Sequence, residues 1–262
     1  MLTESGVRAA VQAAKLEPDS IVVKRLSADG PTDIHIDDDV YRYPASMIKT
    51  PLAVAAFALV ESGDLKLEQY VDTTQANMTA NDLPSPLKPG YRASLHELIE
   101  LMITRSDNVA TNMLFDVCGR ERATNIVQER FGLLKTAFYR KLSGSEPLIN
   151  DPGWDRTHRN IHNAGDAAKL FEIIAADQVP SAQLLRETLF AQQFNDKLNA
   201  GLQPGDRFAH KTGDTDEVTH DGGILYLPDG PSYVIVVYTG LPSSPENNAR
   251  FGPFMKAIRA LL

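Results

Sequence analysis

The chain has 262 residues, of which 43% are hydrophobic and 23% charged, and its net charge at pH 7 is −8. That balance is ordinary for a soluble chain of one large domain or two closely packed ones, and it excludes nucleic acid as a main partner because no basic stripe is available to meet phosphates. The single cysteine, Cys118, excludes an intrachain disulfide and a cysteine-based zinc site. Residues 1–8 show no apolar stretch behind a basic start, and no apolar run reaches bilayer length. As written, the chain reads as cytoplasmic; a periplasmic or secreted place is expected if a leader has been trimmed from it.

In chain order, residues 7–16 have the spacing of a short amphipathic helix. Residues 21–23 and 34–40 read as strands, with Ala28-Asp29-Gly30-Pro31 as the turn between them. Tyr41-Arg42-Tyr43-Pro44 then leads into an apolar helix over 51–60, which closes at Gly63. Residues 71–93 are polar and rich in proline and asparagine, an irregular excursion. Helical spacing returns over 95–103, breaks at Arg105-Ser106-Asp107-Asn108, and resumes over 109–117 and 124–130. Residues 141–160 form a long loop, a length uncommon in compact domains unless the loop is functional. Helices follow over 166–176 and 182–190, strands over 208–211, 223–227 and 233–239, and a terminal helix over 246–262. Pro228-Asp229-Gly230-Pro231 is the hairpin turn between the last two strands.

Strands therefore stand at both ends and helices fill the middle. The pattern predicts an α+β fold with an antiparallel sheet from the N- and C-terminal segments, flanked by helices, and an all-α insertion. The expected organisation is one unit over 1–262, with an α/β part at about 1–45 and 200–262 and a helical part at about 46–199.

Three short motifs carry the chemistry. Ser46 stands at the start of an apolar helix, with Lys49 one turn on and on the same face. A serine hydroxyl needs a base beside it to act as a nucleophile, and a lysine amine whose pKa is lowered can be that base. The same residues could equally form an N-cap followed by a solvated lysine. Ser85-Pro86-Leu87-Lys88 repeats the spacing between two prolines and should not be helical. The other two motifs are Ser106-Asp107-Asn108, between two helices, and Lys211-Thr212-Gly213, at the end of a strand.

Ser-x-x-Lys, Ser-Asp-Asn and Lys-Thr-Gly in this order resemble the class A β-lactamases and penicillin-binding proteins. The resemblance spans nearly the whole chain. It implies that Ser46 becomes acylated, that Lys49 takes or relays its proton, and that Ser106 passes a proton to the leaving nitrogen. It further implies that Asn108 binds the substrate's side-chain amide, that Lys211, Thr212 and Gly213 hold the substrate carboxylate, and that the N–H groups of Ser46 and Asp214 form the oxyanion hole. In the long loop, Glu146-Pro147-Leu148-Ile149-Asn150 resembles the family's Glu-Pro-x-Leu-Asn, in which the glutamate and asparagine hold the hydrolytic water; alone, Glu146 reads as a surface glutamate.

The chain departs from the family pattern in two places. The arginine and aspartate that pin the family's loop are replaced by Gly144 and, at about the second place, Asn160. Arg140, Asp155, Arg156 and Arg159 are the local residues that could pin it instead. The family's later carboxylate-binding arginine falls, by counting without gaps, on His220, with Asp214, Asp216, Glu217 and Asp221 around it.

Other motifs point to structure. His158 and His162 lack the glutamate of a zinc-protease motif, His210 should face away from Lys211 across the strand, and Trp154 is either a loop anchor or a rim contact. The expected protein is a monomeric serine hydrolase that opens a β-lactam or an acyl-D-Ala-like amide or ester, with no cofactor, metal, nucleic acid or membrane partner. The alternatives are a D-Ala-D-Ala-type peptidase or esterase on the same scaffold, and a non-enzymatic penicillin-binding or sensor protein.

Overall fold

Strand β7 (Ser232–Thr239) reads Ser-Tyr-Val-Ile-Val-Val-Tyr-Thr, and all of its residues after Ser232 are buried. Such an unbroken apolar run belongs to a strand covered on both faces. A computed structural model describes residues 2–17, 19–26, 33–144, 147–228 and 230–262. In it β7 is the centre of a five-stranded antiparallel sheet ordered β2-β1-β7-β6-β5. The others are β1 (Asp19–Leu26), β2 (Asp33–Ile36), β5 (Arg207–Asp214) and β6 (Thr219–Tyr226). A separate pair, β3 (Tyr70–Asp72) and β4 (Arg92–Ser94), brackets the polar excursion.

Side chains alternate across the sheet, as the two-residue period requires. Ile21, Val23, Ile235 and Val237 face α1 (Glu4–Ala14) and α9 (Phe251–Leu261) in one core. Val22, Val234, Val236 and Tyr238 face a larger helical core. That core gathers α2 (Lys49–Glu61), α3 (Leu95–Thr104), α4 (Asn108–Cys118), α5 (Arg120–Asn125), α6 (Ala164–Ala175) and α7 (Ala182–Phe190). Every residue from Lys49 to Leu59 is buried, so α2 has no polar face and forms the hub. Pro51 fits because it lies in the first turn, where its missing N–H would have no helical partner.

The sheet is built from the two ends of the chain and the helices come from its middle, as the sequence pattern predicts. Several bounds differ. The strand expected over 34–40 ends at Ile36, because Asp37 turns the backbone into the left-handed region at φ 47°. β5 runs on through Lys211-Thr212-Gly213 to Asp214, and β6 starts four residues early, at Thr219, because the two strands stay in register to the Asp214–Thr219 pair. The terminal helix divides into α8 (Pro245–Asn248) and α9. The expected turn at 28–31 lies outside the described residues, as does Asp229 of the turn at 228–231.

The hub sets the stability. Phe57 in α2 is 1% exposed, and truncating a buried phenylalanine costs about 3–5 kcal/mol. Phe57→Ala should therefore lower the melting temperature by roughly 6–20 °C. Tyr70→Ala, at a position 63% exposed, should shift it little. Calorimetry on the two variants checks the contrast.

Candidate active site

Ser46 lies in a 3-10 turn, Ala45–Ile48, that runs straight into α2. The preceding Ala45 is left-handed at φ 47°. A non-glycine residue held there costs about 1–2 kcal/mol, a strain that persists only where surrounding packing imposes it. Here β5 imposes it. A Cβ on Gly213 would stand 3.0 Å from Pro44 O and 3.3 Å from Ala45 Cβ, a tight fit, so glycine lets the strand close on this turn without displacing it.

In the Ser-Asp-Asn segment each residue has its own local role. Ser106 is left-handed at φ 53°, which turns the chain between α3 and α4. Asp107 caps α4, its Oδ1 accepting from Ala110 N at 2.9 Å. Asn108 opens α4 and lines the cleft.

The side chains meet at Ser106. Lys49 is fully buried, and its Nζ donates to Ser106 O at 2.6 Å, Ser106 Oγ at 3.0 Å and Asn108 Oδ1 at 2.8 Å. From the sheet side, the buried Lys211 donates to the same Ser106 Oγ at 3.1 Å and to Thr212 O at 3.0 Å. Burial pushes the Lys49 amine well below its ordinary range, and the neighbouring Lys211 charge pushes it further. Burial also lowers Lys211, to about 7, with Asp214 opposing the shift and Lys197 adding to it. Above this centre opens a cleft of about 410 Å³ that reaches Ser46, Asn108, Asp82, Arg140, Leu148 and the Asp214–Asp216 strand end.

The model of the β-lactamase enzyme family matches residues 4–259. The chain belongs to the β-lactamase enzyme family. It is a serine hydrolase of amide-bond type. It is 26% identical over 237 residues to the extended-spectrum β-lactamase PER-1 of Pseudomonas aeruginosa, covering 84% of this chain and 76% of that one. A β-lactamase of Bacteroides uniformis is 23% identical over 222 residues, covering 78% and 73%. Among solved structures, PBP-A superposes with a TM-score of 0.83 at 26% identity, over 98% of this chain and 95% of that one. A β-lactamase from Sphaerobacter thermophilus gives a TM-score of 0.83 at 24% identity, over 99% and 98%.

Against that family the long loop is the point of departure, and its pin is one that sequence reading missed. Arg120, at the start of α5, forks onto Asp151, with NH1 at 2.5 Å from Oδ2 and NH2 at 3.0 Å from Oδ1. Lys141 N also donates to Asp151, at 2.8 Å. Burial would raise the Asp151 carboxyl, but these donors and the Arg120 charge outweigh it and hold it below the usual range. The local candidates are used otherwise. Arg140 and Arg156 stack on Trp154, Asp155 pairs with His158, and Arg159 reaches Glu217 and lies over Tyr43. Trp154 is a loop anchor, its Nε1 donating to His158 O at 2.6 Å. Asn160 closes the neck, accepting from Tyr139 N and Arg140 N and donating to Arg140 O. Gly144, where the family has arginine, presses on Ala80: a Cβ there would lie 2.0 Å from the Ala80 carbonyl oxygen.

Two of the sequence candidates, His220 and Asn150, lie elsewhere than the resemblance places them. His220 is fully buried, stacked 4.1 Å from the Tyr238 ring, with Nε2 2.8 Å from Tyr43 O. Its Nδ1 lies 3.1 Å from Thr239 N, which donates to it, and 2.9 Å from Thr219 O. Burial pushes it down to about 4, so it is neutral at pH 7 and faces no substrate carboxylate. The register explains this, since His220 pairs with Gly213 and Tyr238 inside the sheet. Asn150 is exposed on the loop, and the cleft wall there is Ser143, Gly144 and Leu148. Glu146 lies outside the described residues. Thr212 is buried in β5 and Asp214 reaches the cleft rim. His210 packs behind Lys211 against Asp221, at 2.8 Å, and His162 is buried against Thr136. Among the described residues no group of three or more histidine, cysteine, aspartate or glutamate side chains could hold a metal ion, and no helix is long and apolar enough to cross a membrane.

The loop pin makes a measurable claim. Breaking a buried pair costs about 3–5 kcal/mol, and the partial exposure of Arg120 brings the expected cost to the lower end. Arg120→Met should speed amide exchange of Tyr139, Arg140 and Lys141 by roughly 100-fold at that cost, with α2 amides unchanged. Wild-type exchange rates in the variant would mean that Asn160 alone holds the neck.

Proposed function

We propose that this protein opens β-lactams or related small amides through an acyl-enzyme on Ser46, followed by hydrolysis. One observation carries the reading: two buried lysines share the Ser106 hydroxyl beneath a cleft floored by Ser46. An acyl transfer needs a nucleophile, a base and a proton path to the leaving nitrogen. Burial and the Lys211 charge lower Lys49 and so favour its free amine, the form that accepts a proton from Ser46. Ser106 lies between it and Lys211 and can hand a proton to the leaving group. Lys211 at the strand end attracts the substrate carboxylate, with Thr212 and Gly213 shaping that end. The N–H groups of Ser46 and Asp214 are the candidate oxyanion donors. Asn108 has its Oδ1 on Lys49 and donates through Nδ2 to Ala80 O at 2.9 Å, so it positions the lysine as well as facing the substrate.

Deacylation is assigned to water held by Glu146. A second reading has an observation of its own: with Asn150 exposed, the water would lose one of its two expected holders, which favours a long-lived acyl-enzyme. PBP-A has been captured, as a variant, in an acyl-enzyme complex with penicillin G. A protein of that kind would be a penicillin-binding peptidase or sensor on the same scaffold.

Intact mass and lactam loss, followed together in excess penicillin, test the assignment. Wild type should destroy many equivalents, Ser46→Ala should form no adduct and lose more than about 1,000-fold in turnover, and Glu146→Ala should stall as an adduct. A wild-type protein that itself stalls after one equivalent would establish the second reading; one that neither forms an adduct nor consumes lactam would end both.

The pH dependence has a definite sign. Lys211 carries its charge below about 7 and loses it above, so its attraction for a carboxylate fades as pH rises. KM for a carboxylate-bearing lactam should therefore climb through neutral pH, while Ser46 acylation should fall as pH is lowered and Lys49 gains a proton. Steady-state kinetics from pH 5 to 9 checks both limbs.

A further inference from the structure

Asp214 stands at the rim of the cleft, directly after Lys211, Thr212 and Gly213. A bare carboxylate in that place would repel a substrate carboxylate drawn toward Lys211. Lys197 stands against it. The Lys197 side chain is 1% exposed, and its Nζ donates to both Asp214 oxygens, at 2.7 and 2.8 Å. The same ammonium reaches His220 O at 2.9 Å and Gly213 O at 3.3 Å. Thr219 Oγ1 and Ser243 Oγ donate to Asp214 Oδ1 from the other side.

Lys197 is itself held in place. The buried His210–Asp221 pair grips the segment that carries it. Asn195 Oδ1 lies 3.1 Å from His210 Nε2, and Leu198 N donates to Asp221 Oδ2 at 3.0 Å. A fixed cation thus arrives behind the strand end from a part of the chain that carries none of the three motifs. The counted replacement for the family's arginine, His220, is neutral and turned into the sheet.

We propose that Lys197 is a positioning and specificity-determining residue that cancels and locks the Asp214 carboxylate, so that the cleft accepts substrates bearing a carboxylate beside the scissile bond. The inference rests on the reading of Ser46 as the nucleophile of this cleft. A purely structural ammonium could be satisfied by backbone carbonyls; this one directs two of its four contacts at a side chain that is 30% exposed at the rim.

The test is equilibrium binding on the Ser46→Ala protein, which needs no turnover. Two probes are titrated by calorimetry: a cephalosporin with a free carboxylate, and its methyl ester. Lys197→Met should weaken binding of the acid by about 10-fold or more and leave the ester within about 3-fold. Lys197→Arg should retain both. Adding Asp214→Asn to Lys197→Met should restore the acid, and Asp214→Asn alone should tighten it, a measurement that stands even if Lys197→Met does not fold. Equal losses for acid and ester, no restoration in the double variant, or no binding of either probe in any background would overturn the inference. Wild-type turnover of the same two compounds is run beside it. Charge-dependent binding without acylation of Ser46 would end the functional reading and leave the role of Lys197 standing.

Discussion

Two lysine amines within 3.1 Å of one serine hydroxyl, both cut off from water, are the constraint on which the rest depends. Two charges that both touch one buried oxygen repel each other at short range, where little water screens them. Burial adds to that cost. The charge on Lys211 therefore disfavours one on Lys49, and the surroundings decide which amine keeps its charge more readily. Asp214 and Asp221 favour the charge on Lys211; Lys49 has only the fields of Asp107 and Asp82. The two chemically identical side chains are thus made unequal, the carboxylates favouring the charge on Lys211 and burial beside that charge favouring the free amine of Lys49.

Holding that pair in place explains much of the architecture. Lys49 is fixed because α2 is buried all round and cannot rotate without exposing apolar surface. Lys211 is fixed because β5 is zipped to β6 through the Asp214–Thr219 pair. Ser106 is brought between them by a left-handed turn that Asp107 stabilises from the next position, capping the helix that begins there. The two helices, the strand and the turn come from segments some sixty and a hundred residues apart, and only packing through the large core keeps their register.

What the sequence reveals follows the same division. Each motif was legible because its residues also act locally, as a cap, as a turn, or as a glycine where a strand must close on the Ser46 turn. The sheet from the chain ends and the helical middle were legible from periodicity. The loop pin was not, because Arg120 and Asp151 are thirty-one residues apart and neither stands in a motif. Lys197 was missed for the same reason, since nothing near it in sequence shows that it reaches Asp214. His220 was misplaced by counting: it lies opposite Gly213 but its ring turns between Tyr43 and Tyr238, a fact set by strand register and not by spacing from Lys211.

β5 is the free edge of the described sheet, and an open edge is ordinarily a hazard because its unpaired N–H and C=O groups invite another strand. Here the 3-10 turn carrying Ser46 closes on that edge at Gly213, where a Cβ would press on Pro44 O at 3.0 Å. The turn covers the edge at the point where Ser46 stands, and beyond it Asp214 to Asp216 line the cleft. The same unpaired backbone groups that make the edge sticky become directed donors and acceptors once only a small molecule can reach them. Lys197 and the Thr219 and Ser243 hydroxyls turn the Asp214 side chain back onto the strand, which leaves that stretch of backbone to face the cleft. The need to protect an edge and the need to present donors beside Ser46 are thus met by one arrangement, and the glycine after Lys211 and Thr212 is what makes it sterically possible.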